Sequence, residues 1–391
     1  MTSRRDLLKT LGAAGVAMAA LPGLSLGASG SGEQRLVFIF LRGAMDGLSA
    51  VPAYGDGNFA ARRGRLAIPA PGQSGGALKL DGMFGLHPQM PHMHGLYSQG
   101  QMAVLHAIAS PYRDRSHFDA QDLLENGTAK AHGRDIGWLN VAVGGLSTPS
   151  AVALGTSVPL IARGPNAVSS WSPSMLPSPT PDTLERLAQL YRGDALLEPA
   201  LARAREANSM MAGRAMQGET QPTVVLAKAA ATFLAKADGP RVATIDFGGW
   251  DSHTNQIGEY GVLTRNFAQL DRTIATLQTD LGALWAKTAV VIVTEFGRTV
   301  APNGSGGTDH GTASVAFLLG GAVRGGRVIA DWPGLTDRAL YESRDLAPTT
   351  DLRALFKAVL IGHLQLSETL VESKVFPDSR TVRPLEGLFK S

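Results

Sequence analysis

The sequence predicts an α/β protein with a mostly parallel central sheet and helices on both faces. Continuous apolar runs recur along the chain, which is the pattern of strands buried on both faces. Segments with apolar residues at three- and four-residue steps, typical of helices, lie between these runs. Strands that alternate with helices favour a parallel sheet covered on both sides.

The elements follow in chain order. The predicted strands lie at 35–41, 102–108, 150–154, 242–248, 289–294 and 315–321. Predicted helices begin at Pro181, where Pro and Asp form a start signal, and at Val262, and a third follows Asp351, which is placed to cap it. Two stretches rich in Gly, Pro and Ser, 60–82 and 147–179, are predicted to be long loops.

Composition limits the possible functions. The 391 residues are 44% hydrophobic and 18% charged, enough to bury a sizeable core in one large domain or two closely joined ones. A formal net charge of only +3, without a basic tract, argues against nucleic acid as a partner. Cysteine is absent, so any metal must be held by oxygen atoms and imidazoles.

The first 30 residues have the pattern of an export signal. Residues 3–9, SRRDLLK, precede a weakly apolar stretch of small residues that can be cleaved near Ala28. The adjacent Arg4 and Arg5 resemble the twin-arginine type, which is read by the twin-arginine translocation machinery. The apolar stretch is shorter than the roughly 20 residues of a spanning helix, which disfavours a stable membrane anchor. We therefore expect residues 1–30 to be removed and residues 31–391 to form one periplasmic or extracellular domain.

Polar residues follow several predicted strands, where the carboxyl ends of parallel strands place active sites. Carboxylates and imidazoles suit zinc, with manganese, magnesium or calcium as alternatives, and one or two ions could share them. An Asx turn with a surface histidine is the alternative for the Asp-x-His motif, and a buried pair with Arg298 is the alternative for the glutamate. The candidate metal ligands are Asp46, Asp251, His253, Glu295, Asp309 and His310.

The segment SPYRDRSHFDAQD supplies a candidate nucleophile. Ser116 is predicted to lie at a helix N-terminus, where free N–H groups stabilise an anion. A metal-assisted serine can attack phosphorus or sulfur, with Arg115 or Arg298 balancing the charge and His117 nearby. The alternative is a simple N-cap, paired with Asp119 as in a capping box.

The other histidines carry less information. His87, His92 and His94 are predicted to pack around a turn, because the prolines between them break the helix that would align them. His106 lies in a predicted strand and His363 on a predicted helix, so we expect both to be ordinary interior or edge histidines.

Several motifs resemble a known family. In chain order they are FLRGAMDGLS, LHPQM, RSHFDAQD, GGWDSH, VTEFGRT, NGSGGTDHG and LGGAVRGG. Behind a twin-arginine signal, this series resembles the bacterial exported family called domain of unknown function 1501, over almost the whole mature chain. That family is distantly similar to the alkaline phosphatase and sulfatase superfamily, which implies a parallel sheet with up to two divalent ions at its carboxyl edge.

The resemblance implies roles for individual residues. Asp46 resembles an acidic ligand after the first strand, Ser116 a nucleophile, and Asp251 with His253 a ligand pair of the second ion. Glu295-Phe296-Gly297 stands where the superfamily has Asp-His-Gly, and His310 resembles its last ligand histidine. Ala109 stands where a sulfatase has its modified nucleophile, which disfavours that activity.

Two functions are therefore expected from the sequence. The first is an exported metal-dependent hydrolase of phosphate or related esters, acting on a small-molecule or glycan ester. The second is a non-catalytic exported protein of the same fold with a structural metal, acting in surface polysaccharide handling or in assembly of a partner. The sequence carries no signal for oligomeric state.

Overall fold

A nine-stranded sheet forms the centre of the protein. The computed structural model describes residues 33–390 except 149, 174–178, 212–220 and 259, so the predicted export signal lies outside the described residues. The strands of the sheet are β1 Arg35–Leu41, β4 Met102–Ala109, β5 Ala151–Leu154, β6 Val168–Trp171, β7 Val242–Phe247, β8 Thr288–Val293, β9 Ser314–Leu319, β10 Arg327–Ile329 and β11 Thr350–Asp351. A separate short hairpin consists of β2 Leu78–Lys79 and β3 Gly85–Leu86.

The sheet is mostly parallel, as predicted. Its strand order is β10-β4-β9-β8-β1-β7-β5-β6, and β11 also pairs with β4. Among the described strands of this sheet, only β9 is antiparallel to its neighbours, which are β4 and β8, whereas β1 is parallel to both β7 and β8. The carboxyl ends of β1, β4, β7 and β8 therefore meet at one edge, and β9 begins at that same edge.

Helices cover both faces. They are α1 Gly47–Ala50, α2 Phe59–Arg63, α3 Pro91–Ser98, α4 His117–Asn126, α5 Trp138–Val143, α6 Pro181–Tyr191, α7 Leu197–Met211, α8 Pro222–Leu234, α9 Val262–Leu281, α10 Leu352–Ala358 and α11 Glu368–Leu370. Among the residues that the structure describes, no helix combines the length and apolar character needed to cross a bilayer.

Strand β1 shows why the sheet has two cores. Val37, Ile39 and Leu41 pack into one apolar cluster with α8 and α9, whereas the alternate residues Phe38 and Phe40 pack into a second cluster with α5 and α10. Successive side chains of a strand point to opposite faces, so a continuous apolar run fits only a sheet buried on both sides.

The six predicted strands and the cap at Asp351 are confirmed, with small shifts of bounds. The long-loop prediction is wrong in both stretches. Stretch 60–82 contains strand β2 and most of α2, whose Arg63 is fully buried, and stretch 147–179 contains the edge strand β6. Strand β6 has two adjacent serines and is only partly buried, because an edge strand has a neighbour on one side only.

Three histidines are buried in the cores, including His106 and His363 as expected. Burial lowers the pKa of His87 to about 3 and the pKa values of His106 and His363 to about 4. His363 Nε2 donates to the carbonyl oxygen of Arg35 at 2.8 Å, which only partly offsets the effect of burial on the pKa of His363. His92 and His94 lie on α3, which starts at Pro91, so the prediction that they pack around a turn is wrong. A proline at the start of a helix does not break it.

These histidines should make the protein acid-sensitive. The unfolded chain binds protons at a pKa near 6.5, whereas the folded chain does not until about pH 4, so acid favours unfolding. We expect the free energy of unfolding to fall by about 1.4 kcal/mol per pH unit for each buried histidine between pH 6.5 and 4. The free energy of unfolding of metal-free His363→Gln, measured with urea at several pH values, should depend on pH less steeply by that amount. The variant His132→Gln, at an exposed position, should show the pH dependence of the wild type.

Candidate metal centre

Three segments are joined at the carboxyl edge of the sheet. The loop before β9 pairs with the segment after β8 through an antiparallel bridge between Arg298 and His310. Gly307 and Gly311 make this contact possible, because a Cβ on Gly307 would lie 2.2 Å from the carbonyl carbon of His253, and one on Gly311 would lie 2.5 Å from that of Arg298. The glycines flanking Asp309 and His310 thus let the backbones touch.

Three candidate ligand atoms, one each from His117, Asp251 and His310, lie within 4.8 Å of one another. The two histidine Nε2 atoms are 3.0 Å apart. Asp251 Oδ1 is 3.3 Å from His310 Nε2, and Oδ2 is 3.5 Å from His117 Nε2. Ligands about 2.0–2.1 Å from a tetrahedral zinc ion are roughly 3.3 Å apart. The three side chains therefore have the spacing of ligands to one small cation.

His253 borders this group on its exposed side. Its Nε2 lies 3.0 Å from Asp251 Oδ1 and 3.1 Å from His310 Nε2. The side chains of His253 and Asp251 are 43% and 44% exposed, so this side of the group is open to solvent.

Each histidine is held by its other ring nitrogen. His117 Nδ1 lies 2.8 Å from Glu295 Oε1, His310 Nδ1 lies 3.0 Å from the carbonyl oxygen of Arg115, and His253 Nδ1 lies 3.2 Å from Asp309 Oδ1. These acceptors place a proton on Nδ1, so in the neutral ring Nε2 carries the lone pair. Histidines that bind metals are oriented in this way.

Residues 295–298, EFGR, surround His117 and Asp251. Glu295 is fully buried, and its Oε1 accepts from Gly43 N at 2.9 Å and from Gln121 Nε2 at 2.8 Å as well as from His117. The ring of Phe296 stacks on the ring of His117 with centroids 4.9 Å apart. Glu295 thus lies behind His117, outside the three clustered ligands, which differs from its expected place among them.

The charges of the group are set by these contacts. Burial by itself raises the pKa of Asp251, but the ion pair with Arg298 brings it below its usual value. Burial likewise acts against ionisation of Glu295, but the hydrogen bond with His117 brings its pKa down. That hydrogen bond raises the pKa of His117, whereas burial lowers the pKa of His310. Both carboxylates are therefore anionic at neutral pH.

Arg298 is paired with Asp251, so the alternative of a buried pair with Glu295 is wrong. Its Nη1 lies 2.9 Å from Asp251 Oδ1, and its Nε donates to Thr308 Oγ1 at 3.3 Å. Its Nη2 is buried and has no hydrogen-bond partner in the part of the chain that the structure describes. A buried guanidinium N–H without an acceptor is costly, so this donor requires an explanation.

Asp46 lies apart from the three clustered ligands. Its Oδ2 is 2.5 Å from Arg63 Nη2 and 2.9 Å from Ser49 Oγ, and it also accepts from Gln256. Its Oδ1 caps α1 through Leu48 N at 3.1 Å. Both carboxylate oxygens are occupied by protein donors, which corrects the expectation that Asp46 lies with the other ligands.

Ser116 precedes the first residue of α4 but makes no capping hydrogen bond with its side chain. Ser116 thus occupies the N-cap position, but the expected capping box with Asp119 does not form and the hydroxyl is not bonded to the helix end. Arg115 has a positive φ of 60°, a left-handed conformation that is rare for a non-glycine residue. Its guanidinium pairs with Asp345 and Glu342 and so is already neutralised, while its carbonyl holds His310.

The sequence resemblance was tested by comparison with known protein families. The profile described as "Protein of unknown function (DUF1501)" matches residues 33–375. The chain belongs to this DUF1501 family. A comparison of the DUF1501 chain with curated proteins found no match.

Solved structures similar to this DUF1501 protein share little sequence. The zinc complex of the C-terminal periplasmic domain of EcEptC from Escherichia coli is 11% identical, with 74% of this chain and 73% of that chain covered and a TM-score of 0.35. A putative sulfatase from Bacteroides thetaiotaomicron is 10% identical, with 75% of this chain and 65% of that chain covered and a TM-score of 0.38. The lipoteichoic acid synthase LtaP from Listeria monocytogenes is 12% identical, with 80% of this chain and 70% of that chain covered and a TM-score of 0.35.

Sequence reasoning missed three partners in this DUF1501 site. Gln121 bridges Arg42 and Glu295, Arg63 neutralises Asp46, and Asn303 donates from Nδ2 to Asp309 Oδ1 at 3.2 Å. One signal was present for Gln121, because residues four apart on a helix share a face and Gln121 follows His117 by four. Arg63 and Asn303 carry no local signal.

Proposed function

We propose that this protein is an exported metal-dependent hydrolase of phosphate or related esters. The observation that supports it most is the convergence of His117, Asp251 and His310 with the Nδ1 atom of each histidine held by an acceptor. With both rings neutral, two imidazole lone pairs and an anionic carboxylate face one another at about the spacing of metal ligands, an arrangement that suits a bound cation.

Zinc fits this ligand set best. Two imidazoles with one carboxylate are borderline and hard ligands, which zinc accepts at short distances and in a tetrahedral arrangement. His253 lies beside this group on its open side, with its Nε2 3.1 Å from His310 Nε2. Manganese, magnesium and calcium prefer more oxygen ligands than these residues supply.

A catalytic role fits this centre better than a structural one. Structural zinc sites are closed by four protein ligands, whereas catalytic sites keep a position open. Here Asp251 is 44% exposed, and the compact group found among the described residues has three ligand atoms. A substrate oxygen can therefore approach from solvent.

Ser116 is the proposed nucleophile. Its hydroxyl makes no capping bond, and the next residue is the ligand His117. In the proposed reaction Ser116 Oγ gives up its proton and bonds to phosphorus while the bond from phosphorus to the ester oxygen breaks. The ester oxygen takes up a proton and leaves as an alcohol. Water then cleaves the serine–phosphate bond, which releases phosphate and restores the Ser116 hydroxyl. When bound, the metal would polarise the ester and lower the pKa of the attacking hydroxyl.

We further propose that the protein acts outside the cytoplasm. Arg4 and Arg5 lie in a segment with the order of charged, apolar and small residues of an export signal. The twin-arginine machinery transports folded proteins, so a metal could be inserted before export. A small-molecule or glycan ester would then be met in the periplasm or beyond it.

Turnover of generic phosphomonoesters and phosphodiesters by the zinc-loaded protein tests the proposal. We expect Ser116→Ala to lower kcat at least about 1,000-fold, because a nucleophile acts only in the chemical step. Its zinc content should not change. Ser110→Ala, in the same loop, is the control and should retain activity.

Two results would count against the hydrolase. Bound zinc without turnover of any ester would favour a non-catalytic protein with a structural metal. Equal activity of Ser116→Ala and Ser110→Ala would remove Ser116 from the mechanism.

A further inference from the structure

The ligands expected from the sequence were enough for two ions, but in the structure one of these ligands, Asp46, is not available to a cation. Asp46 is 1% exposed and is paired with Arg63, whose side chain is 0% exposed. Arg63 also donates from Nη1 to the carbonyl of Val300 at 3.0 Å. The guanidinium is therefore fixed on both sides and already supplies the positive charge that Asp46 requires. A second cation at Asp46 would have to displace a buried arginine, which is strongly unfavourable.

A second fixed guanidinium lies at the metal centre itself. Arg298 Nη1 contacts Asp251 Oδ1, the same oxygen that lies 3.3 Å from His310 Nε2. The Nη2 atom of that planar group is buried and lacks an acceptor among the described residues. A guanidinium presents its N–H groups as a fork that suits the oxygens of phosphate. Arg298 thus contacts the ligand Asp251 through Nη1, and its Nη2 remains available as a donor to another acceptor.

The local charges also favour a single ion. Three carboxylates belong to the centre, Asp251 as a ligand and Glu295 with Asp309 behind histidines. One divalent ion together with the Arg298 guanidinium balances them. A second divalent ion would leave a net positive charge in a partly buried site.

Resting on the proposed function, we infer that the centre binds one divalent cation and that Arg298 takes the place of a second, with Nη2 binding an oxygen of the anionic ester group. The substrate class is therefore an ester whose acid part keeps a charged oxygen, such as a phosphomonoester or phosphodiester. An uncharged carboxylic ester would leave Nη2 without a charged acceptor.

Metal stoichiometry and anion binding test this inference on the full mature chain. The metal-free protein is titrated with zinc, and inorganic phosphate binding to the zinc-loaded protein is then measured by calorimetry. We expect about one zinc per chain for the wild type. Arg298→Met should keep that zinc but bind phosphate at least about 10-fold more weakly, and Arg298→Lys should fall between them because it keeps the charge without the fork.

Arg65→Met is the matched control. Arg65 contacts the carbonyls of Asn303 and Gly304 in the loop before β9 and is exposed, so its loss should leave phosphate affinity unchanged. Circular dichroism of Arg298→Met checks folding, and the wild-type stoichiometry decides the ion count without any variant.

The outcomes separate the two proposals. Two zinc ions per chain, or phosphate binding that Arg298→Met and Arg65→Met change equally, would overturn the inference and leave the hydrolase intact. No zinc binding by the wild type would overturn the proposed function as well.

Discussion

His310→Ala is expected to weaken zinc binding by more than 100-fold and to abolish turnover. His310 Nε2 lies 3.0 Å from His117 Nε2 and 3.3 Å from Asp251 Oδ1, so its removal takes one of three clustered ligand atoms. Loss of a residue that only orients a ligand costs about 10- to 100-fold in metal affinity. Glu295→Gln, which removes the charge behind His117, should fall in that smaller range. Competition with a chelating dye measures both affinities.

A matched histidine variant controls for general effects. His132 is 72% exposed and contacts Asp119 and Asp122 on α4, neither of which is one of the three clustered ligands. We expect His132→Ala to bind zinc as the wild type does. If His310→Ala and His132→Ala bound zinc equally well, the proposed metal centre would be wrong.

Arg63→Met should destabilise the protein by about 3–5 kcal/mol. It leaves the carboxylate of Asp46 buried and without its cationic partner, and breaking one side of a buried ion pair has this cost. The double variant Asp46→Asn with Arg63→Met removes both charges and should recover part of the loss. Denaturant unfolding of the metal-free proteins measures the free energies.

The preceding arginine provides the control. Arg62 pairs with Asp337, whose side chain is 75% exposed, and such surface pairs contribute about 0–1 kcal/mol. Arg62→Met should therefore have little effect. A loss of similar size in Arg62→Met and Arg63→Met would show that the buried pair is not the cause.

Most of the sheet could be predicted from the sequence, because a strand buried on both faces has a continuous run of apolar residues. The run at 35–41 is apolar throughout, and every residue of β1 is buried. The edge strand β6 has no such apolar run, since it is only partly covered and has polar residues. Edge strands depend on a neighbour for their pairing, and their own residues can form a loop equally well.

The site was predicted in its residue types more than in its arrangement. Asp251 and His310 do meet, as the rule for the carboxyl edge of parallel strands led us to expect. His117 was expected to accompany Ser116 rather than to contact His310. Glu295 was expected among the ligands, but it lies behind one. A carboxylate after a strand has the same local pattern in either role.

By itself, the sequence determined that apolar strands would form a covered sheet and that carboxylates and imidazoles would follow their ends. Only the tertiary structure decided that Arg63 forms an ion pair with Asp46 and that Arg298 forms one with Asp251. Apolar burial depends on the local spacing of side chains, whereas an ion pair depends on which distant segment folds against it. The number of charges left for a cation is therefore a property of the fold.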